Sequence, residues 1–86
     1  MATIKVYTSP SCGYCSAAKQ LLTSRGYEFE EIDLWSNPQL TQEIMRKSGQ
    51  RTVPQIFIGE HSVGGYQELR AAASSGQLEA LIAASK

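Results

Sequence analysis

Cysteine, histidine and net charge are all scarce in this chain of 86 residues. It has two cysteines and one histidine, and its eight acidic residues balance its eight basic ones. Balanced charge gives no overall field that would attract a polyanion, so we expect neither nucleic acid nor an anionic membrane as a partner. Two cysteines are too few for the disulfide scaffold of a small secreted protein. The composition therefore favours a reducing, cytoplasmic setting.

Long apolar runs are also missing, so we expect no transmembrane helix. The chain leads directly into Thr3-Ile4-Lys5-Val6 without the charged and apolar regions of a signal peptide, although a removed transit peptide would leave no trace. The apolar fraction of 42% is ordinary for a globular protein. At this length we predict one domain, residues 1–86.

The apolar pattern predicts four strands and four helices. Strands are predicted at 3–7, 27–32, 55–58 and 61–63, and helices at 13–25, 38–48, 66–74 and 77–84, with Asn37 as the N-cap and Gly49 as the stop of the second helix. The first two strands are joined by a helix and should be parallel, whereas the last two are joined by a tight turn and must be antiparallel. The fold class is α/β, with a mixed four-stranded sheet, helices on both faces and an extra C-terminal helix.

Four single side chains carry expectations that the structure can test. Tyr14 falls on the apolar face of the first helix, where it either packs inward or flanks the first cysteine. Trp35 is expected to pack at the end of the second strand. Lys19 lies four residues after the second cysteine but is expected on a solvated helix face, and His61 is expected at the surface.

The two cysteines stand together in Cys12-Gly13-Tyr14-Cys15, where the first strand leads into the first helix. Residues i and i+3 of a helix lie about 5–6 Å apart at Cβ, so the two thiols can form a disulfide. Cys12 is placed where unpaired N–H groups and the helix dipole lower a thiol's pKa. Cys15 lies one turn inside. We predict that Cys12 is the nucleophile and Cys15 the resolving thiol.

Other uses of the two cysteines are less favoured. A structural zinc ion needs about four ligands, and only His61 could add to the cysteines within one chain. A disulfide that closes so short a loop stabilises little and would not persist in a reducing cell. Redox chemistry, or ligation shared between two chains, remains.

Two further motifs add weak signals of their own. Pro54 opens the third strand in Thr52-Val53-Pro54, and general frequencies favour a trans peptide there. The pair Gly64-Gly65 precedes a helix and permits positive φ and a close approach of ligand to backbone, although most such pairs are simply turns.

Charge is clustered along the chain. Acidic residues crowd 28–33 and basic residues crowd 46–51, the latter being Arg46, Lys47 and Arg51. Both clusters are either solvated faces or, for the basic trio, a surface for a small anionic substrate.

Taken together, the motifs resemble a glutaredoxin of the short dithiol type over essentially the whole chain. The matching segments are Val6-Tyr7-Thr8, Cys12-Gly13-Tyr14-Cys15, Ala18-Lys19-Gln20-Leu21-Leu22, Thr52-Val53-Pro54-Gln55-Ile56-Phe57-Ile58 and Gly64-Gly65. The resemblance implies the thioredoxin fold. It also implies a glutathione-dependent thiol–disulfide oxidoreductase that reduces protein disulfides and glutathionylated proteins through Cys12 and Cys15.

The resemblance further implies a glutathione site. In it, Pro54 is cis, the Val53 backbone pairs with the cysteinyl part of glutathione, and Thr52 lies at the rim. The γ-glutamyl carboxylate is received by Gly65, Tyr66 and Gln67. Arg51 is the best candidate for the glycine carboxylate, and Cys12 and Tyr14 complete the implied set.

Three positions depart from the family's pattern: Gly13 where proline is commonest, Ser9 where many members have lysine, and Gln67 where many have aspartate. Without that lysine, we expect a higher Cys12 pKa than is usual in the family. Members with a small residue at position 13 include some that hold a [2Fe-2S] cluster between two subunits. The alternative is therefore a cluster-bridged homodimer instead of a monomer, with Cys12 of each subunit and two glutathione thiols as the four ligands.

Overall fold

The computed structural model describes residues 3–10, 12–50 and 53–84. Its elements follow the order β1 (Ile4–Thr8), α1 (Gly13–Ser24), β2 (Glu30–Asp33), α2 (Pro38–Ser48), β3 (Gln55–Ile58), β4 (His61–Gly64), α3 (Tyr66–Ser75) and α4 (Gln77–Ala84). This is the predicted order of four strands and four helices. Within the described ranges, no helix is both long enough and apolar enough to cross a membrane.

The sheet is mixed and has the strand order β2-β1-β3-β4. The neighbours β1 and β2 are parallel, with Lys5 opposite Glu30 and Thr8 opposite Asp33. Strand β3 is antiparallel to β1 on one side and to β4 on the other. Both predicted pairings, one parallel and one antiparallel, are confirmed, and the arrangement is that of the thioredoxin fold.

Strands β1 and β3 are buried on both faces because helices cover both sides of the sheet. Side chains of one face pack against α1, α3 and α4, and this larger core includes Ile4, Val6, Leu22, Ile56, Ile58, Leu69 and Leu78. On the other face Tyr7 and Phe57 meet edge to face, with 5.5 Å between ring centroids. They pack with Leu34 and Ile44 to form a smaller core under α2. Burial on both sides accounts for continuous apolar runs in these strands.

Strand β2 is shorter than predicted and begins at Glu30 instead of residue 27. Its pairing with β1 starts only at Glu30. The Tyr27 N–H donates instead to the Leu22 carbonyl oxygen at 3.0 Å, in the turn that ends α1. Tyr27 and Phe29 lie partly buried against the larger core. Their alternation with glutamates therefore reflects packing of the segment that precedes the strand, and this segment is not part of the strand.

Of the two expectations around the start of α2, that for Trp35 was wrong and that for Asn37 as the N-cap was confirmed. Trp35 does not pack inward, because its side chain is 78% exposed. Its backbone N–H donates to Asp33 Oδ1 at 2.9 Å in the turn that follows β2. Asn37 does hold the N-cap position, but its side chain makes no hydrogen bond to the helix. Gly49 ends α2 in the left-handed conformation, as predicted, with φ of 72°.

Candidate active site

Cys12 is the N-cap residue of α1 and has an extended backbone, with φ −101° and ψ 108°. Its Sγ accepts the backbone N–H of Cys15 at 3.1 Å. Its own N–H donates to the Ser9 carbonyl oxygen at 3.3 Å, which holds the preceding loop against the helix. The sulfur therefore lies at the positive end of the helix dipole, where a thiolate is stabilised.

The two cysteines differ in their access to solvent. Cys15 is 2% exposed and belongs to the buried face of α1, whereas Cys12 is only half-buried. Their Cα atoms are 5.3 Å apart and their sulfurs are joined in a disulfide. A reagent that approaches from outside therefore meets Cys12 first.

Tyr14 flanks this opening and does not join the core. Its side chain is 63% exposed. The ring stacks on that of Tyr66, with centroids 5.9 Å apart and planes 24° from parallel. Of the two readings of Tyr14, the structure supports the outward one. The stack also brings the first residue of α3 next to the first turn of α1.

Pro54 and the glycine pair meet at the same place. The Val53–Pro54 peptide is cis, as the family resemblance implied and as general frequencies did not. The Pro54 carbonyl oxygen would lie 3.5 Å from a Cβ added at Gly65, which is an ordinary contact distance and shows that the two segments are neighbours. Gly64 has φ of +117°, which favours glycine. The other two implied residues here, Arg51 and Thr52, lie outside the described residues.

Helix α3 begins immediately after the glycine pair, with Gly65 as its N-cap. Glu68 turns back so that its Oε1 accepts the Gly65 N–H at 3.4 Å. Gln67 lies in the first turn and is exposed. The first-turn N–H groups of α3 carry the partial positive charge of a helix start, and the Tyr14–Tyr66 stack places this start next to α1.

A charged cluster on the other side of the cysteines was missed by sequence reasoning. A cavity of about 310 Å³ is lined by both cysteines and by Lys19, Glu31 and Asp33. Lys19 Nζ lies 2.9 Å from Glu31 Oε2. Lys19 is therefore not simply solvated. The available signal was the parallel pairing of the first two strands, which brings their carboxyl ends to one edge of the sheet.

The two basic side chains at the end of α2 and the single histidine lie at the surface. Lys47 pairs with Glu43 one turn before it, at 3.3 Å, and Arg46 is exposed, so these two basic residues form a solvated helix face. His61 is exposed, as expected. Within residues 3–10, 12–50 and 53–84, no group of three or more His, Cys, Asp or Glu side chains is arranged to hold a metal ion.

Comparisons with known proteins point to one family. The family model for glutaredoxin matches residues 4–63, which include both cysteines and Pro54. A glutaredoxin from Pseudomonas aeruginosa is 46% identical over 84 residues, which cover 98% of this chain and 100% of that protein. A buckwheat glutaredoxin–glutathione complex superposes with a TM-score of 0.85 at 29% identity, over 93% of this chain and 76% of that one. A structure described as metal binding of glutaredoxins gives 0.73 at 45% identity, over 95% and 89%.

Proposed function

The chain belongs to the glutaredoxin family, and from that premise we propose that it is a glutathione-dependent thiol–disulfide oxidoreductase. One observation carries the proposal: a half-buried Cys12 caps α1 while its partner Cys15 is 2% exposed. A helix N-terminus favours the thiolate at Cys12. The difference in access assigns attack on substrate to Cys12 and resolution to Cys15. We place this chemistry in the cytoplasm, where thiols are kept reduced.

With a glutathionylated protein, the Cys12 thiolate attacks the glutathione sulfur and the protein thiolate leaves. A second glutathione thiolate then attacks the bound glutathione, which releases glutathione disulfide and restores Cys12. With a protein disulfide, Cys12 forms a mixed disulfide with one protein sulfur and releases the other. Cys15 then attacks Cys12 Sγ, releases the second protein thiolate and leaves the Cys12–Cys15 disulfide. Two glutathione molecules reduce that bond.

Glutathione is proposed to lie between the cis Val53–Pro54 peptide and the start of α3. The Val53 backbone would pair with its cysteinyl part, and the N–H groups of Tyr66 and Gln67 would receive its γ-glutamyl carboxylate. Two observations support this placement: Pro54 and Gly65 are neighbours, and Tyr14 stacks on Tyr66. We also propose Arg51 and Thr52 as contacts of glutathione. The structure of the buckwheat relative is a complex with glutathione.

A matched pair of glutamines tests the placement of glutathione. Gln67 and Gln77 are both exposed in the first turn of a helix, one at the proposed site and one remote from it. Changing Gln67→Glu puts a negative charge beside the γ-glutamyl carboxylate. The KM for glutathione should change roughly threefold to tenfold, since the γ-glutamyl end carries an ammonium as well as a carboxylate and one charge about 4 Å away contributes about 1 kcal/mol in a water-like dielectric. Gln77→Glu makes the same change in charge and should leave the KM unaltered.

The assay follows reduction of the mixed disulfide of glutathione and 2-mercaptoethanol at varied glutathione concentration. Equal KM values for the two variants would mean that glutathione does not bind at the start of α3. If the wild-type chain turned over equally well with the dipeptide cysteinylglycine as reductant, the γ-glutamyl group would have no role and glutathione dependence would be wrong.

A second candidate function is a [2Fe-2S] carrier or redox sensor that assembles as a homodimer. Gly13 supports it, because a Cβ at this position would meet nothing within 4 Å and the space beside Cys12 is open. One chain cannot supply four thiolates, so the donor set fits a cluster only as a half-site. Cys12 of each subunit would hold it, with two glutathione thiols as the other ligands, and the cluster would supply one-electron chemistry.

The substitution Gly13→Pro separates the two candidate functions. Proline is tolerated at the first position of a helix, and a Cβ at position 13 meets nothing within 4 Å. After anaerobic reconstitution with iron, sulfide and glutathione, the wild-type chain should show visible absorbance and elute as a dimer. Gly13→Pro should do neither and should still reduce the mixed disulfide. A colourless, monomeric wild-type sample would contradict this second candidate.

A further inference from the structure

An uncharged groove lies beside the dithiol, on the side of the molecule covered by α2. Its volume is about 440 Å³, and none of the described residues that line it carries a charge. Trp35, Pro38 and Met45 form its apolar wall, with Leu34 beneath. Ser9 and Val53 also line it. The proposed glutathione contacts described above use the Val53 backbone but leave the α2 wall without a function.

Trp35 is held outward by a hydrogen-bonded turn. The Asp33 carboxylate accepts the Trp35 N–H at 2.9 Å and the Ser36 hydroxyl at 2.8 Å. Leu34 is fixed in turn, because its carbonyl oxygen accepts the Asn37 N–H at 3.1 Å and the Thr41 hydroxyl at 2.8 Å. An exposed tryptophan on a fixed backbone loses little conformational freedom when a partner covers it. Tryptophan is also among the residues that contribute most at protein interfaces.

The groove is continuous with the dithiol. Ser9 lines both the groove and the cavity that contains Cys12 and Cys15. The Ser9 carbonyl oxygen accepts the Cys12 N–H. Asp33, which fixes the turn below Trp35, lines the dithiol cavity as well. A chain segment whose cysteine has reached Cys12 therefore has the groove as its neighbouring surface.

We propose that the groove receives an apolar side chain next to the reactive cysteine of a polypeptide substrate, with Trp35 as its main contact. This inference rests on the proposed oxidoreductase function and adds a preference among its protein substrates. The contrast in charge supports it, because the dithiol cavity is lined by Lys19, Glu31 and Asp33, while the lining of the groove among the described residues is uncharged. A second copy of the chain is a poorer occupant: besides Trp35, Tyr14 is the one large apolar side chain that is exposed among the described residues, and it is stacked on Tyr66.

Two synthetic heptapeptides, glutathionylated at a central cysteine, provide the test. One has leucine on both sides of the cysteine and the other has serine. The wild-type chain should favour the leucine peptide about tenfold in kcat/KM, the ratio that corresponds to 1.4 kcal/mol. Trp35→Ala should bring the ratio close to one. Trp35→Ala and the two α2 variants below should each reduce the mixed disulfide of glutathione and 2-mercaptoethanol at the wild-type rate.

Two variants on α2 sharpen the test. Gln42 lines the groove and is exposed, so Gln42→Glu adds a charge there without emptying the core. It should lower the leucine preference and should favour a third peptide that has lysine on both sides of the cysteine. Gln39 is exposed on the same helix and does not line the groove. Gln39→Ala should keep the wild-type ratios.

Binding can also be read without chemistry, because Trp35 is the only tryptophan in the chain. In a Cys12→Ser, Cys15→Ser protein, the leucine peptide should shift the Trp35 emission to shorter wavelength and the serine peptide should not. A wild-type chain inactive on every glutathionylated substrate would refute the proposed function, yet this shift would still support the groove.

Three outcomes would overturn the inference. The first is a leucine preference that survives Trp35→Ala. The second is an equal loss on the peptides and on the small mixed disulfide, which would assign the groove to glutathione. The third is an emission shift that appears without peptide, either as protein concentration rises or with vesicles of phosphatidylcholine and phosphatidylserine, which would assign it to a second copy or a membrane.

Discussion

Helices α1 and α2 both start just after a strand has left the sheet, but their N-caps are used differently. At α1 the cap is Cys12, whose sulfur accepts the Cys15 N–H at 3.1 Å. At α2 the cap is Asn37, one of the best capping residues, and its side chain makes no bond to the helix. Its Nδ2 donates instead to the Asp33 carbonyl oxygen at 3.3 Å.

The Cys12 side chain therefore bonds to its own helix, whereas the Asn37 side chain bonds to the turn before its helix. A thiol sulfur is a weak acceptor, but a thiolate at that position gains from the helix dipole, so the start of α1 stabilises the reactive form of Cys12. At α2 the asparagine supports the turn that carries Trp35, and proline at the first helical position leaves fewer N–H groups in need of a cap. One helix start supports chemistry, and the other supports a surface beside it.

The largest effect is expected at the first of these caps. Cys12→Ser should lower turnover of the mixed disulfide at least about a thousandfold, because the nucleophile is lost. Serine is a good N-cap, so the helix and the melting temperature should be retained. Steady-state rates and a thermal melt on one preparation make the measurement.

Cys15→Ser is the matched control for that loss. It should leave reduction of glutathione mixed disulfides largely intact and should abolish the dithiol route to protein disulfides. Full turnover by Cys12→Ser, or equal losses in both variants on the mixed disulfide, would mean that the two roles are wrongly assigned.

The next largest effect is expected from the buried side chains that hold each helix against the core. Helix α1 buries Cys15, Ala18 and Leu22, whereas Ile44 is the one fully buried side chain of α2. Leu22→Ala should lower the free energy of unfolding by about 2–5 kcal/mol, since it empties a site in the larger core. Urea denaturation measures it. The exposed Gln20→Ala on the same helix should stay within about 0.5 kcal/mol of wild type, and a comparable loss there would undo the contrast.

A smaller effect is expected at the second cap. Replacing an asparagine N-cap by alanine usually costs about 1 kcal/mol. Asn37→Ala should cost less than about 0.5 kcal/mol, because the side chain does not bond to α2. The emission wavelength of Trp35 should shift, because the turn that carries Trp35 loses its bond to the Asp33 carbonyl oxygen. A full 1 kcal/mol loss in urea denaturation, with unchanged emission, would show that Asn37 caps the helix after all.

The smallest effect lies in the core under α2 and appears only at alkaline pH. Burial raises the pKa of the Tyr7 hydroxyl above its usual value of 10.0, and Glu30 and Glu43 add to the rise while Lys47 opposes it. A raised pKa means that the folded state holds the proton more tightly than the unfolded state does. The resulting stability is therefore complete below pH 10 and is lost as pH rises through the folded-state pKa.

Tyr7→Phe should flatten that decline while keeping the edge-to-face contact with Phe57. Urea midpoints measured between pH 8 and pH 11 give the comparison. Parallel pH profiles for the two proteins would show that ionisation of Tyr7 is not linked to folding.

The sequence predicted the parts of the fold that local chemistry determines. The bounds of α2 followed from Pro38 and Gly49, and the buried strands β1 and β3 followed from β-branched and aromatic runs. Strand β2 was placed three residues early because Tyr27 and Phe29 alternate with glutamates, although they pack against the core before the strand begins. The prediction for Trp35 was wrong. A hydrophobic residue after a strand usually packs inward, but the hydrogen-bonded turn at Asp33 holds Trp35 outward.

The candidate site also has features that local sequence predicted and features that it did not. The position of Cys12 at a helix start followed from spacing alone, whereas the cis peptide at Pro54 came from the family resemblance and not from local preference. Lys19 and Glu31 could not be paired from sequence, since their 2.9 Å contact depends on how α1 lies over the edge strand. Tertiary packing decides such contacts, and local patterns do not contain it.

Trapping the first covalent intermediate tests the central claim most directly. Reduced Cys15→Ser protein is mixed with glutathione disulfide, and peptide mass spectrometry locates the bound glutathione. We expect one glutathione per chain, on Cys12, and no adduct on reduced Cys12→Ser protein treated in the same way. A glutathione adduct on Cys15 of the Cys12→Ser protein, formed as fast as the adduct on Cys12, would contradict it.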